Sequence, residues 1–279
     1  MIRYPGGIIR ATPVVPTLTA ASGIWTLTEA LQAQGQGIWP GYRANAVNFD
    51  GTNDYLTLGA GLTGAADSKL LTLSFWIRKQ GSDGVAERII RSATTVGGAT
   101  SRVVVTKNTL DKISIQGVNA AGTSVLIASP TDDTVEVADG WVHILCSVDL
   151  ADTGKRHLYL NDASDATWST YTDDLIEFTE QDWAIGATPD GSGKLNADLA
   201  DLWFLPGTYI DFSVTANRRL FISATGKPVY LGATGERPTG TSALIYLSGA
   251  TAGWETNLGT GGGFTENGAL STSATSPSD

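Results

Sequence analysis

From about residue 46 onward, apolar and polar positions alternate with a period of two, the pattern of strands that bury one face. Leu71, Leu73, Phe75 and Ile77 alternate with Thr72, Ser74, Trp76 and Arg78, and Val142, Ile144, Cys146 and Val148 alternate with Trp141, His143, Leu145 and Ser147. Arg156, Leu158 and Leu160 alternate in the same way with His157, Tyr159 and Asn161. Shorter runs predict strands at 47–49, 55–58, 88–91, 102–106, 112–117, 124–128, 135–137, 175–178, 183–186, 199–205, 229–231 and 243–247. Turn pairs such as Asp50-Gly51, Asp139-Gly140 and Asp190-Gly191 separate them. Many short strands at near-regular spacing predict an antiparallel sandwich.

The flanks have a different texture. In residues 1–45, Pro5, Gly6, Gly7, Pro13 and Pro16 forbid regular structure. Thr26 and Glu29 then stand three apart, as a capping box requires, ahead of a short run of good helix formers that ends at Gly35 and Gly37. This predicts an extended arm with one small helix. Such a helix is marginal alone in water, so Trp25, Leu27, Leu31, Ile38 and Trp39 need a surface to bury against, either this protein's own sandwich or a neighbour. Beyond the sandwich, residues 213–279 open with Ser213 as an N-cap and a second short helix over Val214–Ile222. They end in Ser271–Asp279, which lacks an apolar pattern and by itself predicts disorder or attachment to a partner.

Composition removes several classes. One cysteine, Cys146, allows no intramolecular disulfide and no cysteine zinc site, and the net charge of -10 leaves no basic footprint for a phosphate backbone. No apolar run reaches the length of a membrane span, and the broken N-terminus does not read as a secretory signal.

Four stretches taken together resemble the concanavalin-like, laminin-G-like jelly-roll family. They are Ala46–Leu56, Leu71–Ile77, Asp139-Gly140-Trp141-Val142-His143 running on to His157–Asn161, and Trp183-Ala184-Ile185-Gly186 followed by Ala200-Asp201-Leu202-Trp203. The resemblance implies an all-β sandwich over 46–212, between the arm (1–45) and a mixed C-terminal extension (213–279). The flanks resemble something else. Trp25–Pro40 is similar to a segment of tailed-bacteriophage structural proteins, and Asn217–Ile222, Gly226–Val229 and Tyr246-Leu247 resemble the extension of phage-encoded laminin-G-like proteins. They imply a protein on the virion surface, assembled in the host cytoplasm, that docks on other virion proteins as a homo-oligomer.

The candidate chemistry is sparse. Retaining glycosidases need paired carboxyl groups about 5–5.5 Å apart, and the densest acidic stretch, Asp173, Asp174, Glu177, Glu180 and Asp182, reads instead as a solvated loop. His143 and His157 fall on strand faces opposite the apolar set, without an orienting carboxylate or nucleophile in the sequence pattern, and no catalytic residue is assigned. Trp168 and Tyr171, in the polar loop after Asn161-Asp162, are the aromatic residues best placed for a sugar platform, with Trp183 and Trp254 behind them. Calcium, which the jelly-roll resemblance implies at a sandwich rim, would draw on Asp50, Asn53 and Asp54 or on the turn at Asp149–Asp152. The expectation is a non-enzymatic virion protein, a decoration, head-fibre or tail-spike component, displaying a carbohydrate-binding jelly roll to a host-surface glycan. A purely structural cement or collar protein is the alternative, and a glycan hydrolase or lyase the third.

Overall fold

A computed structural model describes residues 42–95 and 100–279, together with Thr26, Thr28 and Glu29. Thr26 and Glu29 make the reciprocal bonds of a capping box, with the Thr26 amide donating to Glu29 Oε2 at 2.8 Å and the Glu29 amide donating to Thr26 Oγ1 at 3.2 Å. Trp25, Leu27, Leu31, Ile38 and Trp39, the expected docking residues, lie outside the described residues. Ala44–Asp279 forms a compact unit of its own.

The unit is an all-β jelly-roll sandwich of two antiparallel sheets. The first sheet runs in the order β10 (Ala163–Ser164), β9 (Arg156–Leu160), β8 (Trp141–Asp149), β3 (Leu70–Lys79), β13 (Asn196–Pro206), β1 (Val47–Asp50) and β16 (Ser271–Thr272), and β14 (Ile245–Leu247) also pairs with β13. The second runs β11 (Thr167–Tyr171), β7 (Ser124–Ser129), β6 (Ile113–Val118), β5 (Val103–Lys107), β4 (Glu87–Ala93), β12 (Asp182–Ile185), β2 (Tyr55–Leu58) and β15 (Thr265–Asn267). Two four-residue helical turns, α1 (Thr215–Arg218) and α2 (Thr251–Trp254), complete the described elements with a 3-10 turn at Val137–Asp139.

The alternation read from the sequence sets the interior. Leu71, Leu73, Phe75 and Ile77 of β3 stand opposite Val148, Cys146, Ile144 and Val142 of β8 and face the second sheet, where Leu56, Ile90, Val105, Ile115 and Ile185 are buried. Gly186, after β12, has a φ of 81°, and a Cβ there would lie 2.5 Å from the Phe49 ring, so only glycine fits. One end of the interior is ionic: Lys79 bonds Glu87, Lys107 bonds Asp111, and all four side chains are buried or nearly so. Burial holds the Lys79 ammonium below, and the Glu87 carboxyl above, their ordinary pKa values, so desolvation outweighs their mutual attraction.

The other face of the first sheet is buried as well. Thr72, Ser74, Trp76, His143, Leu145, Ser147, Ala200 and Trp203 all lie on it, and all are almost fully excluded from solvent. The chain after β13 covers them as a third layer. Thr72 Oγ1 donates to the Thr208 carbonyl at 2.9 Å, and the Ile210 amide donates to Ser147 Oγ at 2.8 Å. Phe221 packs edge-on to Trp203 at 5.3 Å and to Phe212 at 5.7 Å, while the Trp203 indole donates to the Gly235 carbonyl at 2.7 Å. Gly235 is at φ 74°, and a Cβ there would meet Trp203 at 2.8 Å.

Several sequence expectations are corrected here. The tail pairs as β16 with β1, its Ser273 Oγ donates to Asp198 at 2.7 Å, and its Thr275 accepts from Arg78 at 2.6 Å, so polar hydrogen bonds order a segment that has no apolar pattern. The second helix shrinks to α1, because Ser213 bonds Asp211 instead of capping and Val214 takes the N-cap position without a side-chain bond. Residues 229–231 form no strand, 135–137 leads into the 3-10 turn, and 175–178 contributes a single bridge, Ser68 to Ile176. Residues 167–171, expected in a loop, form β11.

The third layer therefore belongs to the core. Phe221→Ala should cost about 3–5 kcal/mol in urea unfolding. A chain ended at residue 212 should show no cooperative transition; a cooperative transition in that truncated chain would contradict the three-layer architecture.

Candidate functional site

The expected aromatic platform is structural. Trp168 and Tyr171 stand opposite Ala128 and Leu126, on the inward face of the edge strand β11. The Tyr171 hydroxyl crosses to the first sheet, donating to the carbonyls of Asp149 at 2.8 Å and Lys155 at 3.0 Å. Their rings meet edge to face at 5.7 Å, and the Arg156 guanidinium lies over both, at 5.9 Å from Trp168 and 5.4 Å from Tyr171. This closes an edge of the sandwich. Trp183 and Trp254 are fully buried, packed against Phe204 and Phe49, and offer no face to a ligand.

Asn161 and Asp162 form the two-residue turn between β9 and β10, with φ of 48° and 69°. Asn161 Oδ1 accepts the His143 amide at 2.9 Å. Asp162 is gripped by Arg219 Nη2 at 2.6 Å and Arg218 Nε at 2.5 Å, and the Arg219 bond leads in holding its carboxyl below the ordinary value. It clasps the hairpin to α1 and so fastens the third layer.

The rim acids are turn formers. Asp50 Oδ1 accepts the amides of Thr52 and Asn53 at 2.7 and 3.0 Å; burial pushes its pKa up, but these backbone bonds prevail and lower it. Asp54 is buried and its Oδ1 accepts the Ala269 amide at 2.8 Å, while Asn53 is exposed. Asp50 and Asp54 thus each spend an oxygen on the turn and the tail, and among the described residues no group of three or more His, Cys, Asp or Glu is placed to hold a metal.

Neither histidine lies on an open surface. His143 is fully buried, its Nε2 2.8 Å from Ser74 Oγ, and burial pushes its pKa down to about 3. His157 Nε2 is 2.8 Å from the Tyr209 hydroxyl under the third layer, and burial lowers its pKa as well. Burial pushes the Cys146 thiol up to about 12, which leaves it unreactive. The acidic stretch is less solvated than its composition predicts. Glu180 and Asp182 are each 2% exposed. Arg102 Nε bonds Glu177 at 2.5 Å and lies 3.5 Å from Glu180.

With one sheet covered, the open face is the outer side of the second. The β4–β7 meander carries Arg88, Arg91, Thr106, Ser114 and Gln116 there, opposite the inward Ile90, Val105 and Ile115. With Arg102, Val104 and Ser124 they line a shallow groove of about 480 Å³, within the range of small-ligand sites. A register shift between Arg88 and Ile90 brings Arg88 and Arg91 to the same face, although three positions separate them. Strict alternation hides that coincidence. Residues 102–106 and 112–117 were legible as strands, but only the sheet order makes their polar positions neighbours.

Residues 50–208 match the Laminin_G_3 family of the Concanavalin A-like lectin/glucanases superfamily, and the chain belongs to that family. The match ends where the third layer begins. Among solved structures, a Bacteroides ovatus protein assigned to carbohydrate binding aligns over 86% of this chain and 62% of its own, at 12% identity and a TM-score of 0.59. The chain thus spans less than two thirds of that protein. A heptameric pentraxin of Limulus polyphemus (15% identity, 82% of this chain and 94% of that one, TM-score 0.45) and the receptor binding domain of botulinum neurotoxin D (13% identity, 61% and 42%, TM-score 0.42) are also similar. No curated protein sequence matches the chain.

The buried carboxyl at the groove's end gives a pH signature. Both Glu180 oxygens are buried, and burial, then Glu177, pushes the Glu180 pKa from 4.5 up to about 7 against the opposing charge of Arg102. With the folded pKa above the unfolded one, the folded state binds the extra proton, so this contribution is full below pH 4.5 and is lost as pH rises through about 7. Glu180→Gln should leave Tm nearly unchanged at pH 4 and raise it by about 2–4 °C per kcal/mol relieved at pH 8. Equal Tm values for the two proteins at pH 8 would show that Glu180 titrates normally.

Proposed function

We propose that the chain is a non-catalytic carbohydrate-binding protein, and that its site is the outer groove of the second sheet. The observation that carries the reading is the groove itself: a polar, shallow trough on four adjacent strands of a lectin-superfamily sandwich, with Val104 and Val118 among its lining residues. Thr106, Ser114, Gln116 and Ser124 supply hydroxyl and amide groups to hydrogen-bond saccharide hydroxyls, and Gln116 is already oriented by its 2.7 Å bond to Ser124. The non-catalytic reading rests on the match to a lectin superfamily. The carbohydrate-binding assignment of the Bacteroides ovatus protein is consistent with this reading.

We further propose that the protein is displayed as a homo-oligomer on a bacteriophage particle for adhesion to host-surface glycan, docked through the N-terminal arm. The support is the resemblance of Trp25–Pro40 and Asn217–Val229 to phage structural proteins. Display of many copies would convert weak single contacts into avid attachment.

A glycan array probed with the multimerised full chain tests the first part. Thr106→Trp, which fills the groove, and Gln116→Ala should each lower binding at least tenfold, whereas Trp168→Ala should leave it unchanged. Binding that survives both groove variants would contradict the assignment. For the second part, deletion of residues 1–45 should leave a folded sandwich that no longer co-purifies with particles; normal incorporation would contradict docking by the arm.

A further inference from the structure

The groove gathers a charge that the chain as a whole lacks. The protein carries 28 acidic against 18 basic residues, yet Arg88, Arg91 and Arg102 all line this one trough, without a carboxylate among its lining residues. Arg102 is paired with Glu177 at 2.5 Å. Arg88 is held differently. One Nη donates to Thr106 Oγ1 at 3.1 Å, while its buried Nε has no hydrogen-bond partner among the described residues. Thr106 thus fixes the guanidinium against β5, and its remaining N–H groups can make charge-assisted bonds to an incoming anion.

The arrangement is preorganised. Gly193 leaves room for the Arg88 stem, since a Cβ there would come within 3.3 Å of Arg88 Cγ. Because the strand shift sets Arg88 and Arg91 on one face, two guanidinium groups share a partly desolvated trough. Burial, then the charge of Arg88, lowers the Arg91 pKa, with Asp190 opposing. Such a site has a positive potential that water screens poorly.

The trough also lacks something. None of its described lining residues is aromatic, so among them there is neither a ring to stack on neutral sugars nor a platform for nucleic-acid bases. Affinity must come from charge-assisted and neutral hydrogen bonds. The planar guanidinium fork matches carboxylate and sulfate geometry.

We infer that the groove takes a saccharide bearing carboxylate or sulfate groups, with Arg88 and Arg91 holding the anionic group and Thr106, Ser114 and Gln116 bonding the neighbouring hydroxyls. This rests on the reading of the groove as a carbohydrate site. Calorimetry on the full chain would compare trigalacturonic acid, its fully methyl-esterified form, a short dextran sulfate, neutral dextran and an oligothymidylate. The acid or the sulfate should bind at least tenfold more tightly than its neutral counterpart, and raising the salt should narrow the gap. Arg88→Gln and Arg91→Gln should each bring charged and neutral forms close to parity without changing the unfolding midpoint, and Arg88→Lys should fall between.

Equal binding of acid and ester by the wild type would overturn the charge inference and leave the carbohydrate reading standing. A charge preference that survives both arginine variants would overturn the location. Binding of oligothymidylate but of no saccharide, or of none of the probes, would overturn both readings.

Discussion

The first sheet is buried on both faces, and a sheet of that kind cannot end a two-layer sandwich. Its inner face, with Leu73, Phe75, Ile144 and Phe204, is satisfied by the second sheet. The outer face carries Trp76, His143, Leu145 and Trp203, which would stand in water without further cover. Burying such aromatic side chains is worth several kcal/mol in all. The chain after β13 supplies the cover, and Phe212, Phe221, Ile222 and Leu231 are buried in it. This cover leaves the outer face of the second sheet as the open sheet face, and the proposed site lies there.

The third layer is secured by polar bonds where apolar contact alone would let it slide. Asp162 ties α1 to the β9–β10 turn through two arginines, and Asp198 gathers Asn48, Gln80 and Ser273 where the tail crosses the sheet. These bonds use carboxylates that composition alone would leave on the solvated surface. Asp50 and Asp54 at the rim, and both histidines, are held in hydrogen bonds of the fold in the same way. What remains for ligand chemistry is the second sheet's outward polar set.

Much of the sandwich was legible in the sequence, because a period of two with β-branched and aromatic residues has one simple reading. Leu71 to Ile77 and Val142 to Val148 identified the core strands and their inward faces. Alternation also misled, since Thr72, Ser74, His143 and Ser147 look like a solvated face and are in fact buried under a third layer. That layer has little periodicity of its own; Phe212, Phe221 and Leu231 occur singly in turns. β11 was hidden because its outward residues are threonines and its aromatics sit at a bulge. The groove was hidden for a different reason: Arg88, Arg102 and Gln116 are far apart in sequence, and only the antiparallel order β7-β6-β5-β4 with its register shift assembles them.

The account stands on the second sheet's outer face being the ligand face. Amide hydrogen exchange of the full chain, with and without a saturating bound saccharide, reads this directly. New protection should fall on β4–β7, the strands that bear Arg88, Arg91, Ser114 and Gln116, with the third layer unchanged. Protection centred instead on residues 207–231, or on the rim turn at Asp50–Asp54, would place the ligand elsewhere and contradict the account.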